Sequence, residues 1–132
     1  DSYKVHVAKD LYSYAHLDST IVPLREGLVL YNATRVTPKN EPELFKNWDK
    51  IWIDECYSAV NKTELPWGAS EWIGLNLLSV NPNLAIVDRK QKQLIEELNK
   101  HKIEVIPLEL RHDRIISGGF HCVTLDLSRK AK

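Results

Sequence analysis

Methionine is absent from all 132 residues, the first included, and Asp1-Ser2-Tyr3-Lys4 is no secretory signal. That absence sets the expectation of a processed, truncated or excised piece of a longer chain. Cysteine is scarce. Cys56 and Cys122 allow one disulfide at most, form no Cys-x-x-Cys pair and match no zinc-ligand spacing. Free thiols in a reducing cytoplasm are therefore expected, with no metal. Excess charge of one sign is missing too: 18 Lys+Arg face 18 Asp+Glu, which removes the basic footprint of a nucleic-acid binder. No apolar run approaches the roughly 20 residues a membrane span requires. A glycine-rich phosphate loop is also lacking, and Ser117-Gly118-Gly119 does not make one. No cofactor is expected.

What remains is an ordinary globular composition, 43% hydrophobic and 27% charged, at a length that suits one domain. Tyr3 to Val7 alternates and predicts a short strand. Leu17 to Leu24, interrupted by Pro23, and Leu28 to Tyr31 flank the Arg25-Glu26-Gly27 turn as a hairpin. Glu41 to Trp48 predicts a short helix and Lys50 to Asp54 a strand. The order then recurs. Trp72 to Val80 is strand-like, Asn81-Pro82-Asn83 a turn, and Leu84 to Asp88 a buried strand. Arg89 to His101 carries Leu94, Ile95 and Leu98 at helical spacing, and Glu104 to Leu108 closes as a strand. Strand, turn, strand, helix, strand thus appears twice at a period of roughly 55 residues. Such units leave faces and edges that need neighbours. A last strand is expected over Val123 to Leu127.

Two stretches suggest chemistry. In Ser117-Gly118-Gly119-Phe120-His121-Cys122, two glycines permit close backbone approach and a thiol follows at the mouth of the expected strand. Far upstream lies Ala15-His16-Leu17-Asp18-Ser19-Thr20. If the fold joins them, His16 can relay protons for Cys122 and Asp18 can bind a cationic group. The plainer readings are a buried Cys122, a surface His16, and Asp18 and Ser19 capping a local turn. Strand alternation sends His121 to the face opposite Cys122, as a structural residue. His6, His101 and His112 have no partner by spacing. Cys56 is expected to be inert, and Trp48, Trp52, Trp67 and Trp72 to pack the core and rim.

The residues resemble the amidinotransferases of the guanidino-group modifying superfamily, of which arginine:glycine amidinotransferase is the best-known member. The resemblance lies in His16 to Thr20, in Gly27 to Leu30 with Arg35 after it, in Ser70-Glu71-Trp72-Ile73-Gly74-Leu75-Asn76-Leu77-Leu78, and in Gly118 to Thr124. It implies an α/β fold, part of a pentein-like propeller of ββαβ modules. Two modules, roughly 17–54 and 72–109, and a closing strand at 119–127 would form one C-terminal domain over 1–132. It also implies that Cys122 is the nucleophile and His16 the general acid/base. Asp18, Arg35 and Ser70 would bind substrate. A second serine of the family is Ala69 here, and two further family aspartates belong to an N-terminal part without counterpart in this chain.

The activity so implied is transfer of an amidino group from arginine to an amine acceptor through an amidino-cysteine. The substrates are small molecules, and the partner is the missing N-terminal half or further copies of the chain, with Tyr3 to Val7 or Val123 to Leu127 at the contact. Two alternatives stand beside it: a guanidino-group hydrolase of the same superfamily, or a non-catalytic assembly module. Ornithine release without an acceptor, or citrulline, would mark the hydrolase.

Overall fold

The computed structural model describes residues 3–12, 16–57, 70–111, 115 and 117–128. Two three-stranded sheets carry the chain, each with the same connectivity. In the first, β1 (Ile21–Arg25) runs antiparallel to β2 (Leu28–Asn32), which runs parallel to β3 (Asp49–Ile53). In the second, β4 (Leu78–Asn81) is antiparallel to β5 (Leu84–Asp88), and β5 is parallel to β6 (Glu104–Leu108). Each hairpin has a register shift just before its turn, between Pro23 and Arg25 or between Ser79 and Asn81. Gly27 supplies the left-handed φ of 79° that the first turn demands. Pro23 and Pro107 sit on edge strands, where a missing N–H breaks no central ladder.

The parallel connections differ in kind. Between β5 and β6 runs α1 (Lys92–Lys100), with Leu94 and Leu98 one turn apart and buried. Its end is closed by Lys102 at φ 59°, and the Ile103 N–H reaches back to the Leu98 carbonyl at 3.0 Å. Between β2 and β3 the expected helix shrinks to a single 3-10 turn, Glu43–Phe45. Pro42 precedes it in an extended conformation (ψ 135°) and its carbonyl accepts the Phe45 N–H at 3.0 Å, so the turn has no helical run before it.

The core follows strand alternation. Leu28, Leu30, Ile51 and Ile53 share one cluster with Ala85, Val87, Leu94 and Leu98, so the second unit and its helix cover one face of the first sheet. Val29 and Tyr31 point the other way, into Ile21, Val36 and Phe45, with Trp48 and Trp52 packed alongside. The Tyr31 phenol donates to Glu41 Oε1 at 3.1 Å, and burial pushes its pKa above the ordinary tyrosine range. Trp72 is buried in the larger cluster. No helix among the described residues is long and apolar enough to cross a membrane.

Two expected strands are absent and two begin later than expected. Tyr3 to Val7 has no strand pairing, and Tyr3, Val5 and Val7 are all exposed. Only Ile21 onward of the Leu17 to Leu24 segment is strand, because Leu17–Ser19 winds into a 3-10 turn. The Trp72 to Val80 segment likewise begins as the 3-10 turn Ile73–Leu75 and becomes strand only at Leu78. Val123 to Leu127 is not a strand either. The Thr124 hydroxyl bonds back to the carbonyls of Phe120 and His121, and the Val123 N–H to Gly119, which curls the chain after Cys122. Trp67, Ala69 and His112 lie outside the described residues.

Candidate active site

The two 3-10 turns sit at equivalent places, one leading into each hairpin, and they touch each other. A third segment, Ser117 to Thr124, closes on them. Its first residue has φ 55°, a left-handed conformation that a serine adopts only under constraint. The buried pair Gly118 and Gly119 follows. A Cβ on Gly119 would come within 2.6 Å of the Asn76 carbonyl oxygen, and one on Gly118 within 2.8 Å of Cys122 Cβ. Only glycine allows this approach.

The approach brings Cys122 Sγ to 3.9 Å from His16 Nδ1, within reach of a weak S–H···N bond. His16 precedes the first 3-10 turn in an extended conformation, and its carbonyl accepts from the Ser19 N–H and hydroxyl. That turn carries Asp18 beside it. Asp18 Oδ2 accepts from Asn76 Nδ2 at 2.5 Å and from His121 Nδ1 at 2.8 Å. A carboxylate only accepts, so the second bond assigns the proton to His121 Nδ1. Asp18 Oδ1 is buried without a hydrogen-bond partner among the described residues. His16, Asp18, His121 and Cys122 line an open cavity of about 540 Å³. Among the described residues, no group of acidic, histidine and cysteine side chains is arranged to hold a metal.

Arg35 and Ser70 form a neighbouring cluster and do not line that cavity. One guanidinium nitrogen donates to the hydroxyls of Ser19 and Thr20 at 3.0 Å, and the other to Ser70 Oγ at 3.1 Å. The Tyr12 ring lies 5.1 Å from its central carbon. Burial lowers the Arg35 pKa, with the opposing pull of Tyr12 and Glu71 smaller. Neutral hydroxyls take these hydrogen bonds and fix the guanidinium in place, with Glu71 attracting its charge. The Ser19 hydroxyl bonds back to the His16 carbonyl without capping the turn, while Asp18 bonds across segments.

Sequence reasoning missed two residues here. His121 does not face away from Cys122, because alternation holds only on a strand and this segment is a turn. Asn76, in the Ser70 to Leu78 stretch, bridges Asp18 and the Cys122 backbone N–H, which it accepts at 3.1 Å through Oδ1. Its signal was a polar residue inside the apolar run Ile73 to Leu78, where burial obliges a side chain to find partners. Cys56, by contrast, sits half-buried with Sγ 3.3 Å from Gln91 Oε1. It borders a larger cleft of about 1030 Å³ where, among the described residues, no histidine lines the wall to serve a thiol nucleophile as base.

No family model matches the chain. The inosamine-phosphate amidinotransferase 1 of Streptomyces griseus is 48% identical over 132 residues, which are 100% of this chain and 38% of that protein. The mitochondrial glycine amidinotransferase of Xenopus tropicalis is 31% identical over 97% of this chain and 30% of its own length. Among solved structures, that of the inosamine-phosphate amidinotransferase of Streptomyces griseus superposes with a TM-score of 0.87 at 45% identity, covering all of this chain and 38% of its own. The homologues of this chain are therefore amidinotransferases, and it matches them along 97–100% of its own length while spanning 30–38% of theirs.

Proposed function

We propose that the chain is the C-terminal part of an amidinotransferase with arginine as donor, and that its two sheets are modules of a pentein-like propeller. A guanidinium carbon is a weak electrophile because its charge is spread over three nitrogens, and a thiolate is the side chain suited to attack it. In the first half-reaction the Cys122 thiolate bonds to the guanidinium carbon. The bond from that carbon to the donor's side-chain nitrogen then breaks, and the leaving amine takes its proton from His16. In the second, an acceptor amine attacks the amidino-cysteine, gives a proton to His16, and the carbon–sulfur bond breaks.

Asp18 receives the guanidinium in this scheme, and the observation that carries the reading is its carboxylate beside the Cys122–His16 pair, with one oxygen lacking a partner among the described residues. His121, the exposed partner of Asp18, is the one a guanidinium displaces. Arg35, steadied by Ser70, takes the substrate's own carboxylate. The acidic residues that orient the histidine and clamp the far side of the guanidinium come from another part of the enzyme or from a second copy. A phosphorylated aminocyclitol is the first acceptor to try, since the inosamine-phosphate enzymes match at 48% against 31% for the glycine enzyme.

Intact mass spectrometry after incubation with arginine tests this directly. An amidino adduct that disappears in Cys122→Ser, with a single equivalent of ornithine released and further release only when an acceptor amine is added, supports the transferase. Citrulline in place of transfer moves the assignment to the hydrolases. An unmodified thiol in the presence of the complete enzyme's remaining segment sinks both.

A further inference from the structure

We infer that Asn76 is a positioning residue of this site, holding the nucleophile's backbone and the guanidinium-binding carboxylate in one fixed relation; the inference rests on the roles proposed for Cys122 and Asp18. Asn76 is buried, at 1% exposure, and its amide is used at both ends. Nδ2 donates to Asp18 Oδ2 at 2.5 Å, and Oδ1 accepts the Cys122 N–H at 3.1 Å. The Asn76 backbone carbonyl also lies 3.4 Å from the His121 N–H, and Gly119 packs against the same residue. One side chain therefore joins two stretches that are about a hundred residues apart in sequence, as the His121–Asp18 separation of 103 shows. Neither aspartate nor leucine can replace it in kind: the first lacks the donor when ionised, and the second lacks both groups.

The bond to the Cys122 N–H also narrows the substrate class. Cysteine enzymes that transfer acyl groups aim backbone N–H groups at the oxygen anion formed on attack. Here the N–H of the nucleophile is already committed to Asn76. Attack on a guanidinium forms no oxygen anion, so such a site forgoes nothing by that commitment. The site is thereby disposed toward guanidinium and amidinium carbons and against amides and esters.

The test uses two alkylating probes of nearly the same shape, the cationic 2-chloroacetamidine and the neutral 2-chloroacetamide. Each is reacted with the full chain and with Asn76→Leu and Asn76→Ala. The labelling rates of Cys122 are read by peptide mass spectrometry, with Cys56 as the internal reference for intrinsic reactivity. Cys122 in the unaltered chain should prefer the amidine relative to Cys56. Both variants should lose that preference about tenfold or more, the scale of a hydrogen bond to a charged group, while Cys56 keeps its rates and so reports an intact fold. Equal slowing of both probes at Cys122 would reduce Asn76 to a packing residue and overturn the inference, as would a preference unchanged in the variants or absent from the unaltered chain. A preference that depends on Asn76, together with no arginine adduct, would leave this inference standing and remove the transferase.

Discussion

The two units of the chain share strand order, hairpin turn and parallel return, yet their environments differ. In the first sheet, β2 is buried at all five residues. One of its faces is covered by its own connection to β3, and the other by the second unit with α1. In the second sheet only the face bearing Ala85 and Val87 is covered. The opposite face carries Ile86, Ile106 and Leu108, of which the last two are exposed at 39% and 45%. The comparison teaches a packing rule: each unit covers one face with its own connection and relies on the next unit for the other. The second unit has no such neighbour within the described residues, and its open face is where the next propeller module would pack in the proposed assembly.

The largest expected effect comes from register-equivalent residues. Leu30 pairs with Ile51 in the first sheet as Ile86 pairs with Ile106 in the second. Ile51→Ala should cost about 2–5 kcal/mol in urea unfolding, the usual range for a filled core site. Ile106→Ala should fall within about 1 kcal/mol, since much of that side chain is already in water. Equal losses would break the comparison, and a larger Ile106 loss on adding the rest of the enzyme would sharpen it.

Glycines give the next contrast. Gly119→Ala drives a methyl into the Asn76 backbone and should lower Cys122 labelling by arginine about a hundredfold, an interference with alignment. Gly27→Ala meets no atom within 4 Å and suffers only its positive φ, so it should lower stability by about 1 kcal/mol and leave labelling unchanged. The result to look for is the reversal: labelling lost in one variant and stability in the other.

Smaller still is Tyr31→Phe, which removes a phenol hydrogen bond and leaves Glu41 its ion pair with Lys50; about 1 kcal/mol is expected by thermal unfolding. Last comes Glu109, beyond β6, whose carboxyl Lys90 and Arg89 hold below its ordinary pKa. A depressed folded pKa stabilises above the unfolded value, and that contribution fades as the pH falls through the folded value. Glu109→Gln should shift the melting temperature by about 1 °C or less at neutral pH, the scale of an exposed pair, with the shift vanishing in acid. A larger shift would mean that the open unit is held by surface charge more than by its core.

The strands and the helix were legible because their signals are local. The apolar run Leu28 to Tyr31, the Asn81-Pro82-Asn83 turn and the Leu94, Ile95 and Leu98 spacing each lie within a few residues. The 3-10 turns escaped because Trp72 to Leu77 has the apolar content of a strand and Leu17 to Thr20 runs straight into the apolar Ile21 to Leu24, so neither boundary stands out locally. For the site, resemblance pointed to Cys122, His16, Asp18, Arg35 and Ser70, but it carried no distances.

Composition and periodicity alone were enough to mark the strand segments around Leu28 to Tyr31, Lys50 to Ile53, Leu84 to Asp88 and Glu104 to Leu108, the hairpin turns and the apolar face of α1, since neighbours along the chain decide those. Tertiary contact alone decided that His121 shares a carboxylate with Asn76, that Arg35 rests on three hydroxyls, and that Cys122 meets His16. Each of these depends on groups tens of residues apart, and a buried donor or acceptor takes its partner from whatever the fold brings within 3 Å or so.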